Sequence, residues 1–508
     1  MPTQLTRRNA LKLSGLALGG LTVGGIAKAR GQASDVCALS GSCYPNRIEK
    51  AKYSYFDDLD EFEPMVPWGT QNPLLENEMR IMFVGSGIPP NLRRIQQMMS
   101  VFVEVGWDEK NHRALDSFVF DCGSGVCTNY NALGVSFGRM DKIFLAHLHG
   151  DHASDLSHIY CFGPSADRKT PLYVFGPGPS GVKSPRPPRR LYDDGTRTFC
   201  KNLREAWRWH TESFSFQATS LEDPKIPTRQ DWGLPCDPVP VGDDAPCDGY
   251  ALVPIELDWR KVGGVAYHSQ HTGVKVTHFP VVHCRRGSIG YKLEWTRKDG
   301  SVLSMIYTSD TRPETVSIEQ ARNRDASGVA RGVDVFIHEM IVPPEVWLMK
   351  ILGLPAPLEP GTSDAWDRAL SDIERVQRSS HTPQGAFGYL LSQIEPRPRL
   401  TVATHFPVAD DTVDCALKSV RAHVPDVTWD KTYDPVHKNI AWSRDLMVLR
   451  VFDHDILQTK AKVSDFEYSA MPDVPGTLAE PKYAGETDQI DTTNVIQPGD
   501  DTYCDSGY

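Results

Sequence analysis

The stretch DKIFLAHLHGDHASDL, from Asp141 to Leu156, sets His147, His149, Asp151 and His152 within six residues. Imidazole and carboxylate are the side chains that bind zinc-type cations. In an extended chain an i, i+2 spacing turns His147 and His149 to one side. Gly150 permits a turn, after which Asp151 and His152 can face a second cation. A loop that merely tolerates histidine is a poor account of four ligand-type side chains placed directly after an apolar run. Two divalent cations about 3.5–4 Å apart lower the pKa of a shared water to near 7 and clamp attacking and leaving oxygens. That is hydrolytic chemistry.

Such a turn needs rigid elements around it. Apolar or alternating runs predict short strands at EMRIMFVGSGIPP, SVFVEVG, SFVFDCGSG, DKIFLAHLHGDH and TPLYVFGPGPSG. Strands resume at GVKVTHFPVVH, SIGYKLEW, SVLSMIYTSD, GVDVFIHEM, PRLTVATHFPV and DLMVLRVF. Helices are predicted at CKNLREAWRWH, near PETVSIEQARN and from Pro383 to Ile394. Strands mixed with helices, with polar ligands at strand ends, predict an α/β layered fold. Residues 180–250, with the basic KSPRPPRR, and residues 341–379 read as insertions into one domain spanning 79–462. Residues 34–78 form an N-terminal extension, and 463–508 form an acidic tail rich in Pro and Gly.

The first 33 residues are a separate object. Arg7 and Arg8 precede a Gly-rich apolar stretch from Leu11 to Ala27, with small-residue exits at Ala29 and Ala33. This is the layout of a secretory signal, and TRRNALK resembles a twin-arginine export signal. Its h-region is too short and glycine-diluted to span a bilayer well, and no other run is long enough. A periplasmic or secreted location is therefore expected. Loss of residues 1–29 removes Arg7, Arg8, Lys12 and Lys28 and no acid, moving the net charge from -11 to -15. So acidic a chain is disfavoured as a nucleic-acid binder. Of its 11 cysteines, Cys37 with Cys43, Cys122 with Cys127 and Cys236 with Cys247 form close pairs. Outside the cytoplasm these are plausible disulfides, although spacing leaves the connectivity open.

HLHGDH matches the HxHxDH signature, and the chain resembles the metallo-β-lactamase superfamily. MFVGSGIPP, FDCGSG, FGPGPSG, HCRRGSIGYKLEW, YTSDTRP, FIHEM, SSHTPQ and ATHFP follow in the order of that superfamily, over approximately residues 79–455. The resemblance implies an αββα sandwich with loop and helix insertions, and a binuclear site. His147, His149 and His283 would hold the first metal. Asp151, His152 and His405 would hold the second, and Asp310 would bridge the two. His278 competes with His283 for its role, but the GSIGY after His283 matches the family context. Two Zn²⁺ suit seven N and O ligands best, with Fe or Mn also compatible.

The branch that holds tRNA 3′-processing nucleases, phosphodiesterases and arylsulfatase-like enzymes carries HEAT and HST motifs. Here His338 and Glu339 stand in HEM, and His381 in HTP. These three are candidates for protonating the leaving group, although a strand-end pair and a helix cap would explain them too. The expectation is a metal-dependent hydrolase acting on a phosphodiester-, sulfate- or carboxylic ester-type bond through metal-activated hydroxide. Asp151 would orient or deprotonate the nucleophile. A metal-dependent oxidoreductase, a tRNA 3′-endonuclease-like nuclease and a non-catalytic metal-binding module are the alternatives. The expected partners are a small-molecule ester-type substrate and the twin-arginine export machinery, with a homodimer left open. Trp347 and Met349 in PPEVWLMKILGLP offer an apolar wall for an organic leaving group, or core.

Overall fold

The computed structural model describes residues 59–62, 73–166, 168, 170–214, 249–359, 361–427 and 439–462. The expected signal segment 1–33 and tail 463–508 lie outside the described residues, as do Cys37, Cys43, Cys236 and Cys247. Strands are numbered in chain order. One sheet runs β1 (Asp60–Phe62), β16 (Ile456–Ala461), β15 (Met447–Val451), β2 (Met79–Gly85), β3 (Ser100–Asp108), β4 (Arg113–Phe120), β5 (Lys142–Phe144), β6 (Leu172–Pro177) and β7 (Leu252–Leu257). The other runs β14 (Asn439–Trp442), β13 (Leu400–Thr404), β12 (Val335–Glu339), β11 (Val302–Tyr307), β10 (Ile289–Thr296), β9 (Val274–Pro280) and β8 (Gly264–His268).

Successive strand residues point to opposite faces, so each strand feeds two cores. Ile81, Phe83, Val101, Val103 and Phe144 meet Val276, Leu293, Val335 and Ile337 between the sheets. The intervening Met82, Phe102, Val119 and Ile143 pack on helices Val126–Ala132 and Leu156–Phe162. On the far side, Ile306, Phe336 and Ala403 pack on helices Thr315–Arg322, Gln384–Ser392 and Asp410–Arg421. The layers are helix, sheet, sheet, helix: the αββα sandwich expected. Burial on both faces is why the strands read as nearly continuous apolar runs.

Strand direction creates the site. β4, β5, β6 and β7 run parallel to one another, as do β11, β12, β13 and β14. Ligands in open α/β sheets bind outside the carboxyl ends of such strands. Here both sheets bring those ends to one edge.

The two segments expected as insertions lie between neighbouring elements. β6 and β7 pair directly across the 180–250 segment, of which residues 215–248 lie outside the described residues. Its return is anchored by the buried Arg168, which donates to the carbonyls of Ile159 at 3.0 Å and Gly249 at 3.1 Å. Residues 341–379 include a π-helical turn, Trp347–Ile351, and all but the last residue of a helix, Asp364–Ser380, whose Trp366 amide donates to Ser363 Oγ. The extension before residue 79 contributes β1, parallel to β16 at the sheet edge. Cys122 and Cys127 are separate thiols, contrary to the expected pairing. Cys122 is buried in the outer core at the end of β4, whereas Cys127 lies in the next helix, its amide held by Asp155 at 3.0 Å. No helix among the described residues is long and apolar enough to cross a membrane.

Candidate metal centre

Two hydrogen bonds keep the chain extended beyond β5. Leu145 donates to the Phe175 carbonyl at 2.7 Å, and Ala146 donates to Asp121 Oδ1 at 2.8 Å. His147 and His149 therefore emerge at the sheet edge, and a short helix, Gly150–Ala153, turns Asp151 and His152 back toward it. The Cys122 amide donates to the His152 carbonyl at 2.7 Å, and that of Met99 to the Asp151 carbonyl at 3.1 Å. Gly123 permits this approach, because a Cβ there would lie 2.0 Å from the Asp151 carbonyl oxygen.

The structure brings all seven expected ligands together in two groups. In the first, His149 Nδ1 lies 3.0 Å from His147 Nε2 and 3.2 Å from His283 Nε2. In the second, His152 Nε2 lies 3.3 Å from Asp151 Oδ2 and 3.3 Å from Asp310 Oδ1. His405 Nε2 closes that group at 3.4 Å from Asp151 Oδ2 and 3.5 Å from Asp310 Oδ2. Asp310 Oδ2 also reaches to 3.7 Å from His283 Nε2, so this carboxylate lies between the groups. Ligands 2.0–2.2 Å from a tetrahedral zinc stand roughly 3.3–3.6 Å apart, which these separations approach. His152 Nε2 and Asp310 Oδ1 are buried without a hydrogen-bond partner. Such orphaned atoms cost about 1–3 kcal/mol each, and cations between them would remove that cost. The donor set fits two metal ions.

The ligand imidazoles differ: against burial, Asp310, Asp151 and Asp121 raise His152 well above its usual range, and against burial Cys284 and Asp310 raise His283 to about 9, so these two must lose a proton to bind a cation. Burial pushes the His147 imidazole well below its usual range, with His152 and His283 adding to the effect. Burial, then the charge of His283, lowers His149 to about 4. Both rings therefore present neutral nitrogens. Burial alone would raise Asp310, but the neighbouring His405 and His152 win and hold it well below the usual carboxylate range.

A further layer fixes the ligands. Asp121, to which no sequence motif pointed, accepts from His152 Nδ1 at 2.8 Å, Tyr307 Oη at 2.6 Å and Ser309 Oγ at 3.0 Å. A carboxylate behind a ligating imidazole sets its tautomer and orientation. A signal for Asp121 does exist in FDCGSG, where it follows an apolar strand as Asp151 and Asp310 do. Asp121, Ser309 and His405 all have positive φ, of 56°, 54° and 53°. That left-handed conformation is uncommon outside glycine, although Asp and His are enriched in it, and it persists where surrounding contacts enforce it.

Glu339 and His381 join the site, and His338 does not. Glu339 faces inward, with Oε2 2.8 Å from His381 Nδ1 and Oε1 accepting from the Thr311 amide. Burial and then the charge of Asp310 raise the Glu339 carboxyl well above its usual range, while burial lowers His381 to about 4. His338, one residue before Glu339, points to the other face of β12. Its ring packs near Phe336 and Phe387 in the outer core, with Nδ1 2.7 Å from the Glu339 carbonyl. The period of two along a strand excludes it from the cluster. His278 is likewise away from both groups, at 3.0 Å from the Asp258 carbonyl.

No family model matches the chain. Ribonuclease BN of Enterobacter sp. (strain 638) is 32% identical over 103 residues, 20% of this chain and 31% of that protein. Ribonuclease Z of Treponema denticola is 37% identical over 62 residues, 12% of this chain and 20% of that protein. The chain thus spans about a third or less of the length of these curated relatives. Among solved structures, the metallo-β-lactamase fold protein YhfI from Bacillus subtilis is 12% identical, with a TM-score of 0.41 over 74% of this chain and 100% of that one. A long-form RNase Z from yeast is 14% identical, with a TM-score of 0.39 over 73% of this chain and 42% of that one. The chain therefore joins an αββα sandwich holding two candidate metal-binding clusters to a stretch of sequence similar to ribonucleases BN and Z.

Proposed function

We propose that the protein is an exported binuclear zinc-dependent hydrolase of the metallo-β-lactamase fold, cleaving a phosphodiester-, sulfate- or carboxylic ester-type bond. One observation carries this reading: seven nitrogen and oxygen donors in two groups whose neighbouring atoms lie 3.0–3.5 Å apart, with Asp310 between them. His147, His149 and His283 would hold one ion and Asp151, His152 and His405 the other, with Asp310 shared. Two such ions supply a nucleophile from water at neutral pH and polarise the bond under attack.

The chain's own residues do the rest. Asp151 would orient the nucleophilic water or take its proton. Glu339 keeps its proton and donates it to His381 Nδ1, which leaves the ring's own proton on Nε2. From there it passes to the departing oxygen. The N-terminal twin-arginine-type segment directs export.

The test is metal content of the purified protein, followed by turnover of p-nitrophenyl phosphodiester, phosphomonoester, sulfate and short-chain carboxylic ester substrates. About two zinc per chain with turnover on one class is the expected result and names the bond. Iron in place of zinc, with oxygen consumption and no ester turnover, would overturn it in favour of an oxidoreductase. The similarity to ribonucleases BN and Z favours a second reading, nuclease action, and an RNA substrate run in the same assay decides between them.

A further inference from the structure

One ligand-type cluster takes no part in that scheme as a whole. His283, Cys284 and His381 each offer a ligand atom, and all three atoms lie within 4.8 Å of one another. The His283 and His381 rings stand 4.8 Å apart, centroid to centroid, at 74°. Cys284 is half-buried beside them, and its thiol hydrogen-bonds to the His283 side chain and to Ser380. Two imidazoles and a thiolate are a recognised zinc-type donor set, and sulfur biases it toward softer cations. Donors at 2.0–2.3 Å from a tetrahedral ion stand roughly 3.3–3.7 Å apart. From at most 4.8 Å the donors need to close by about 1.5 Å or less.

The partners of the two rings suit capture. The Ser380 carbonyl lies 3.0 Å from His283 Nδ1, and Glu339 Oε2 lies 2.8 Å from His381 Nδ1. A carboxylate or carbonyl on one ring nitrogen prepares the other as a ligand.

We propose that Cys284, His381 and the shared imidazole of His283 form a trap for a thiophilic divalent cation, and that its occupation arrests the enzyme. The inference rests on the roles of His283 and His381 in the proposed function. Binding releases two protons to solvent, one from the Cys284 thiol and one from His381 Nε2, as the Nδ1 proton stays between the ring and Glu339. The proton required by the leaving group is then absent, and His283 is drawn from the first metal group. A resting enzyme and a thiophilically inhibited one thus differ by one soft ion.

The test uses the full-length, zinc-loaded protein titrated with Cd²⁺ alone as the probe. Thiolate-to-cadmium absorbance in the near ultraviolet reports the trap without any need for turnover. Wild type is expected to show a saturable step that Cys284→Ser lacks, because among the described thiols Cys122, Cys161 and Cys200 are buried, and Cys127 and Cys415, as accessible as Cys284, belong to no group of ligand-type side chains. His381→Gln should weaken the step by about tenfold or more. On the preferred ester substrate, Cys284→Ser should retain turnover and require at least about tenfold more Cd²⁺ for half-inhibition.

An equal absorbance step in wild type and Cys284→Ser overturns the trap, as does an unweakened step in His381→Gln. Loss of the step with unchanged inhibition overturns the arrest, because cadmium then acts in the main ligand groups. Absence of ester turnover in untreated wild type is a failure of the proposed function, and the absorbance titration still decides the trap.

Discussion

The two sheets supply the metal centre in different ways. The nine-stranded sheet delivers His147, His149, Asp151 and His152 from one turn after β5. The seven-stranded sheet delivers His283, Asp310 and His405 from three separate loops, with Glu339 at the end of β12 and His381 just after helix Asp364–Ser380. The first arrangement is local: its geometry is set by one strand end, one glycine and one turn. The second exists only because β9, β11, β12 and β13 end at the same edge. A compact motif is therefore robust to distant change, whereas the dispersed set depends on the register of a whole sheet.

Substitutions can break this comparison. The largest effect is predicted for Asp310→Ala, which removes the carboxylate shared by both groups. Turnover should fall by at least about 10²-fold, with metal content below that of wild type. Full metal occupancy with normal turnover would mean that the two sheets do not share a centre.

The next prediction separates neighbours on β12. Glu339→Gln should lower kcat by roughly 10²-fold, as expected for loss of a proton-transfer partner. His338→Gln should leave kcat within about twofold, because that ring faces the outer core. Equal losses in both would sink the assignment of faces.

Asp121→Asn probes the support under the local turn. We predict a 10-fold or greater loss of metal affinity, measured by competition with a chelator, since the variant loses the carboxylate behind His152 Nδ1. Unchanged affinity would show that the turn needs no help from β4.

The smallest effect lies away from the ligands. Asp445 accepts from Ser86 N and Oγ, Asn129 Nδ2 and Gln97 N, yet burial raises its carboxyl to about 7. Between about pH 4 and 7 the unfolded chain has lost this proton and the folded one keeps it, so stability falls as pH rises through that window. The contribution at stake is at most roughly 4 kcal/mol. Comparing urea midpoints across the window, we predict a shallower decline for Asp445→Asn than for wild type. Parallel slopes would show that Asp445 is already ionised at low pH.

Much of the fold and of the site is legible in the sequence. The main strands can be read because burial on both faces turns them into apolar runs bounded by glycine and polar turns. The short edge strands β1, β8 and β14 cannot, since edge pairing leaves weak patterning over three to five residues, and the six-residue β7 and β16 are not read either. The helix Asp364–Ser380 falls within a segment that reads as an insertion, because its apolar stripe is narrow and most of its surface is polar. His338 illustrates a different limit. HE at a strand end reads as a pair, but a strand sends adjacent side chains to opposite faces, and only the pairing of β12 with its neighbours decides which one faces the ligands.

Sequence by itself determined the chemistry available: four ligand types in one turn, further His and Asp residues after apolar strands, and an α/β alternation able to bury them. These are local properties, carried by residue type and by spacings of a few positions. Tertiary structure decided which of the remaining residues share the site. The motifs behind the resemblance already named His283 and Asp310, but the packed sheets placed Asp121 behind His152, paired Glu339 with His381 and turned His338 away. Those contacts join residues 31 to 49 positions apart. No local pattern encodes them, because they follow from strand order and register across two packed sheets.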